Sequence, residues 1–145
     1  MNIDELNADW ASDCTIDENH LDRESVRTPN LHAKYLRLLS FHKMKQSALE
    51  ADYNNMRTRK FRYYRGEMTR DELTELGWDQ WQGTKPLKNE MDEFLTGDAD
   101  LNKILIKCAY MKTMVETIES IMNQIKARDW SIRNAIEFKK FIAGS

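Results

Sequence analysis

One apolar repeat limits this chain more than any other feature. Leu101, Ile104, Cys108, Met111, Val115, Ile118, Met122 and Ile125 recur at spacings of three and four without a break. That period places all eight side chains on one stripe of an α-helix, whereas a strand would scatter them over both faces. Leu105, Ile106, Tyr110, Met114 and Ile121 widen the stripe, and Asp98 or Asp100 offers an N-cap for a helix over 98–126. On a chain with 32% charged residues, so wide an apolar face has to be covered by other helices, in the same protomer or in another copy. Cys108 lies within the stripe and reads as a small buried hydrophobe.

The remainder of the sequence agrees with a helical fold. Its 145 residues contain two prolines and five glycines, a helix-forming composition. We expect one all-α domain with long antiparallel helices and a helical C-terminal segment, in four consecutive parts at 1–27, 29–66, 67–97 and 98–145. From Pro29 to Arg65 there is no glycine and no further proline, enough for about ten turns or roughly 55 Å. Tyr35, Leu39, His42, Gln46, Leu49, Tyr53, Met56, Lys60 and Tyr63 alternate at spacings of four and three along it. This is a coiled-coil-like seam in which His42, Gln46 and Lys60 are imperfections. Leu31, Leu36, Leu38 and Phe41 make the first half the more apolar, so it is expected to pack while the second half projects.

Before that helix the chain is acidic, with Asp4, Glu5, Asp9, Asp13, Asp17, Glu18, Asp22 and Glu24. Ile3, Leu6 and Trp10 mark a short amphipathic helix over 2–12. The acids are either a solvated face or a contact for a basic partner or a neighbouring copy's basic patch. A second helix is expected over 17–27, capped by Asp17, with Leu21 and Val26 turned inward. Thr28-Pro29 reads as a restart, because proline is tolerated at the first helical position.

The long helix closes on Arg57-Thr58-Arg59-Lys60-Phe61-Arg62-Tyr63-Tyr64-Arg65, which has five cations, three aromatic rings and no acid, and then meets Gly66. The net charge is only −2, so nucleic-acid binding, if present, has to come from a local patch such as this one. Cations can neutralise phosphates while rings stack on bases without regard to sequence. Arg57, Arg59, Lys60, Arg62 and Arg65 are the phosphate candidates, and Phe61 and Tyr64 the candidate stackers. Tyr63 falls on the seam, where packing is its default role.

Residues 66–100 are expected to be irregular. Thr69 can cap a short helix over 70–76, and 88–95 can form another. Trp78 and Trp81 offer either base-stacking platforms or the packing that fixes a loop, and the second is the commoner use. After 127–129, which reads as a break, Asp129 or Ser131 can cap a final helix through Ile142. Its Trp130, Ala135, Phe138, Phe141 and Ile142 are a heavy apolar load, expected to dock on another helix or another copy.

No glycine-rich phosphate loop, HExxH, CxxC or nucleophile elbow is present, so we expect no catalysis and no cofactor. His20, His32 and His42 lack metal spacing. Cys14 and Cys108 are far apart and fit two free thiols in a reducing compartment. No secretion signal or membrane span is expected, and the mean hydropathy is −0.74.

Several segments together resemble the UvsY family of recombination mediators from T-even-type phages. The run Arg59-Lys60-Phe61-Arg62-Tyr63-Tyr64-Arg65-Gly66 is similar to its basic-Tyr-Tyr-x-Gly motif. So are Asp13-Cys14-Thr15-Ile16-Asp17, Lys88-Asn89-Glu90-Met91, Asp98, Ile125-Lys126-Ala127-Arg128 with Ile132, and the closing Phe141-Ile142-Ala143-Gly144. The likeness is weakest over 67–87. It implies a non-enzymatic, ring-like homo-oligomer, a hexamer or heptamer, that binds single-stranded DNA in the cytoplasm of an infected bacterium. It also implies that the protein helps a UvsX-type recombinase assemble on DNA covered by the phage single-strand-binding protein. Lys60 matches one basic position of the motif; the other falls on Thr58, a departure that Arg57 and Arg59 flank, and Arg62 stands at an acidic position. Assembly is associated with the C-terminal helix, which points to Met111, Val115, Ile118, Met122, Ile125, Trp130, Ile132, Ile136 and Phe141. Two other readings stay open from the residues: a coiled-coil assembly or adaptor without DNA binding, and an RNA-binding regulator.

Overall fold

The computed structural model describes residues 1–144 and contains five helices, with no strand among them. They are α1 (Ile3–Asp13), α2 (Leu21–Tyr64), α3 (Arg70–Leu76), α4 (Met91–Thr96) and α5 (Ala99–Ile142). Their contacts form two compact units, a division not contained in the expected single domain of consecutive parts. One unit joins Met1–Met44 to the chain from Lys112 onward, and the other is Lys45–Met111. Both α2 and α5 are 44 residues long, about 66 Å each, and contribute to both units.

In the first unit, α1 begins with a reciprocal cap. The Asn2 side chain accepts from the Glu5 N–H at 2.8 Å, and the Glu5 carboxylate accepts from the Asn2 N–H at 3.0 Å. Leu6 is fully buried, and Trp10 sets its ring edge-on to Tyr35 at 5.5 Å. Asp13, at the end of α1, receives the Tyr35 hydroxyl at 2.8 Å, Lys34 at 2.6 Å and Arg27 at 3.2 Å. Burial pushes the Asp13 pKa up, but these hydrogen bonds and the charges of Lys34 and Arg27 outweigh it and hold it below the usual carboxylate range. Part of the acidic N-terminal segment is thus neutralised inside its own chain.

Two expected breaks are absent. Asp17 caps no helix; it shapes the turn before α2, accepting from the Asn19 N–H and facing His20 at 2.7 Å. From Leu21 onward, α2 runs through Pro29 without a restart. Val26, expected inward, is 75% exposed, because the buried face of α2 carries Leu21, Glu24, Leu31 and Tyr35. Likewise α5 runs through 127–129. The two misread sites are partners: buried Arg128 donates to the Glu24 carboxylate and carbonyl and, at 3.1 Å, to the Thr28 hydroxyl. These contacts, with Lys43–Glu119 at 3.5 Å, set α2 antiparallel to α5 in this unit. Met114, Val115, Ile118, Ile121, Met122, Ile125 and Ile132 are the buried apolar residues of α5 here.

That burial corrects the assembly surface read from the sequence. Val115, Ile118, Met122, Ile125 and Ile132 lie in the protomer interior, and Met111 and Ile136 are partly buried. A stripe already covered by its own chain is not available to a second copy. Trp130, 67% exposed, and Phe141, 78% exposed, remain on the surface, together with Phe138 and Ile142.

The second unit shows that the C-terminal half of α2 does not project. Tyr64 is buried with Met91, Leu95 and Leu101, and Tyr53, Met56, Tyr63, Trp81 and Phe94 pack around them. Gly66 ends α2 with φ +70°, a left-handed conformation that L side chains avoid. Around it the Gly66 N–H reaches the Tyr63 carbonyl at 3.1 Å and the Glu67 N–H the Arg62 carbonyl at 3.0 Å. Thr69 caps α3 by accepting from the Glu72 N–H at 3.2 Å, as expected, and Asp98 caps α5 by accepting from the Leu101 N–H at 3.0 Å.

Candidate nucleic-acid interface

The basic run covers the last two turns of α2 and the residue after it, Arg65, and the helix period separates its cations. Lys60 takes the core side: it is 6% exposed, with its ammonium 3.2 Å from Asp98, 2.8 Å from Asp100 and 4.2 Å from the centre of the Trp78 ring. This corrects the expectation that Lys60 is offered to a phosphate. The helix seam carries it inward, and an ammonium with four methylenes can be buried only where carboxylates meet it.

Tyr64 is also corrected as a stacker. It is 8% exposed and its hydroxyl donates to Asp98 at 2.6 Å. Its ring meets Trp81 edge-on at 4.9 Å and Phe94 at 5.6 Å. Burial pushes Asp98 up, but the Tyr64 hydroxyl, the Leu101 N–H and the Lys60 ammonium together hold its carboxyl below the usual range. The hydroxyl of Tyr64 is pushed the other way, upward, first by burial and then by this carboxylate. Tyr63 packs, as its place on the seam indicates, and donates to the Asp79 carbonyl at 2.6 Å. Trp78 and Trp81 are used for packing: one lies under Lys60, the other against Tyr64 and Phe94.

The other members of the run face outward. Arg62 makes a two-pronged pair with Glu72 at 2.7 and 3.0 Å; that hydrogen bond raises its pKa, and the pairing lowers that of Glu72. Arg57 reaches Asp92 at 3.4 Å, and Arg65 reaches Glu67 at 3.0 Å. Arg59 is exposed and has no ion pair among the described residues. Phe61 is 37% exposed, and the Arg65 guanidinium stands 5.5 Å from its ring centre. The structure therefore brings Arg57, Arg59, Phe61, Arg62 and Arg65 to the surface and removes Lys60 and Tyr64 from it.

Sequence reasoning missed two groups here. The partners that turn Lys60 inward, Asp98 and Asp100, lie 38 and 40 positions away in the sequence, beyond any local pattern. Lys107, which no motif singles out, is exposed and borders one groove with Arg59. Among the described residues, no cluster of three His, Cys, Asp or Glu is placed to hold a metal, and no helix is long and apolar enough to cross a membrane.

Comparison with known proteins agrees with this architecture. A family model described as "Recombination, repair and ssDNA binding protein UvsY" matches residues 9–145. The recombination protein uvsY of Enterobacteria phage T4 is 24% identical over 144 residues, covering 99% of both chains. A crystal structure of the bacteriophage T4 recombination mediator protein UvsY superposes with a TM-score of 0.84 at 23% identity, covering 99% of this chain and 98% of that one. A second crystal form gives 0.85 at 21% identity, covering 97% and 99%. The fold is shared, and the chain belongs to the UvsY family of recombination, repair and single-stranded-DNA-binding proteins.

Proposed function

We propose that this chain is a non-enzymatic recombination mediator, acting in the cytoplasm of an infected bacterium, that binds single-stranded DNA through the outward face of the basic run. The observation that carries this reading is that Arg57, Arg59, Arg62 and Arg65 all reach the surface of a UvsY-family chain, with Phe61 partly exposed beside Arg65. Guanidiniums pair with phosphates in a fixed fork, and a half-exposed ring can stack a base at about 1–3 kcal/mol. Trp130, Phe138, Phe141 and Ile142 leave an exposed apolar surface on α5 that suits assembly with further copies, six or seven in a closed ring. Each copy then adds one basic patch, and every contact after the first is intramolecular. A strand held by several patches bends to the ring, which weakens the grip of a covering single-strand-binding protein and favours nucleation of a UvsX-type recombinase.

The test is fluorescence anisotropy with labelled oligo-dT, duplex DNA and oligo-rU at two salt concentrations. Tighter binding of oligo-dT, falling steeply with salt, supports the reading. Failure to bind oligo-dT at low salt refutes it and leaves an assembly adaptor, while preference for oligo-rU moves the activity to RNA. The loading step is read separately, as faster recombinase-filament formation on protein-covered single strands.

A further inference from the structure

The basic run has one cation that is both exposed and unpaired among the described residues, Arg59, and it borders a groove. The groove lies between α2 and α5 within the Lys45–Met111 unit and has a volume of about 370 Å³. Its apolar lining is Leu49, Met56 and Ile104. Arg59 stands on the α2 wall and Lys107 on the α5 wall; Lys107 is likewise exposed and has no ion pair among the described residues. We propose that this groove is the seat of one nucleotide unit of the bound strand, with Arg59 and Lys107 taking its phosphates, so that α5 shares in a contact the motif alone assigns to α2.

This inference rests on the single-strand binding proposed above and deepens it. The chemistry separates these two cations from their neighbours. Arg57, Arg62 and Arg65 would share their guanidiniums between a phosphate and the carboxylates of Asp92, Glu72 and Glu67, and Lys60 would have to leave the core. Arg59 and Lys107 lose only counterions, the event that makes binding salt-dependent. An apolar lining with cations on both walls suits a sugar and base between charged phosphates, and the volume lies at the low end of small-ligand clefts, about 300–1,000 Å³. Asp52 is the one acid in the groove. It opposes a phosphate and therefore supplies a variant with the reverse sign.

The experiment measures oligo-dT affinity against salt for the full-length protein and for Arg59→Ala, Lys107→Ala, the double variant and Asp52→Asn. These are surface positions, and unchanged helical circular dichroism checks their folding. For a single engaged protomer, each cation removed should lower the salt slope by about 0.7 and the affinity at 0.1 M salt about fivefold. Lys107→Arg should restore both, and Asp52→Asn should tighten binding. Wild-type binding with an unaltered slope in Lys107→Ala overturns the groove while leaving the proposed function intact, as does unchanged affinity in Asp52→Asn. Absence of wild-type binding refutes the proposed function itself.

Discussion

Lys60 is the residue for which motif and structure give opposite expectations, so Lys60→Ala is the most informative single change. A phosphate-contacting lysine can be removed with little effect on folding, since most surface substitutions stay within about 0.5 kcal/mol. Removal of this lysine leaves Asp98, buried, and Asp100 without their ammonium at 3.2 and 2.8 Å, and empties the site above Trp78. Breaking a buried pair from one side costs about 3–5 kcal/mol. Asp98 keeps the Tyr64 hydroxyl and the Leu101 N–H, and Asp100 is 42% exposed, so the lower end, about 3 kcal/mol, is expected here. With a urea slope of about 2 kcal/mol per molar, the midpoint should fall by about 1.5 M at fixed protein concentration. Lys60→Met with Asp98→Asn should cost less than the sum of the two single changes, because neither charge is then stranded. The salt slope of oligo-dT binding, measured where the variant is folded, should match wild type. An unmoved midpoint together with a slope reduced by about 0.7 would show that Lys60 reaches solvent and phosphate, and the burial argument would be wrong.

Further expectations follow from other contacts. Asp98 has a folded-state pKa below its ordinary value of 3.8, so its stabilising effect is present above that value and is lost as pH falls through the lower, folded pKa. Acid titration of stability should therefore steepen below about pH 4, and less so in Asp98→Asn, as followed by circular dichroism. Arg128→Ala strands buried Glu24, but Arg27 stands 3.6 Å from the same carboxylate, so a loss of about 3 kcal/mol in urea unfolding is expected. Gly66→Ala should cost about 1–2 kcal/mol, because φ is +70° and the new Cβ meets the Lys85 Cε at 3.2 Å; the thermal midpoint reads it. Phe138→Asp with Phe141→Asp should leave helicity unchanged and lower the mass seen by light scattering. An unchanged mass would place the assembly surface elsewhere.

The apolar period and the caps at Thr69 and Asp98 were legible because both signals are local, whereas the caps read at Asp17, Thr28 and 129–131 were not caps. The stripe 101–125 lies on one face, Thr69 caps α3, Asp98 caps α5, and the seam from Tyr35 to Tyr63 is at least partly buried throughout. The polar members of the seams were not legible. Glu24 and Thr28 looked like the end of one helix and the start of another, and Arg128 looked like a break, because a charged residue in an apolar register reads as an interruption. In the structure they occupy that register and satisfy one another across 100 and 104 residues of sequence. Lys60 with Asp98 and Asp100 repeats the arrangement at the other end of α2. Charged register positions at Glu24 and Lys60 are thus met by charged positions on α5 and its N-cap, revealed only by the pairing of the two helices, whereas buried His42 is met by the Leu38 carbonyl of its own helix.

The same logic accounts for the basic run. Its composition sets it apart from the rest of the chain, but composition treats nine consecutive residues as one patch. A helix does not. Its period of 3.6 sends Lys60 and Tyr64 to the core and Arg57, Phe61 and Arg65 to the surface, with Arg59 beside the groove. The inward members anchor the end of α2 through Asp98, which gives the outward members the fixed frame that the proposed strand contact requires. On the proposed function, density of charge in this motif measures two demands at once, holding the helix and holding the ligand. Substitutions at Lys60 and at Arg59 should therefore fail in different assays, the first in unfolding and the second in the salt dependence of binding.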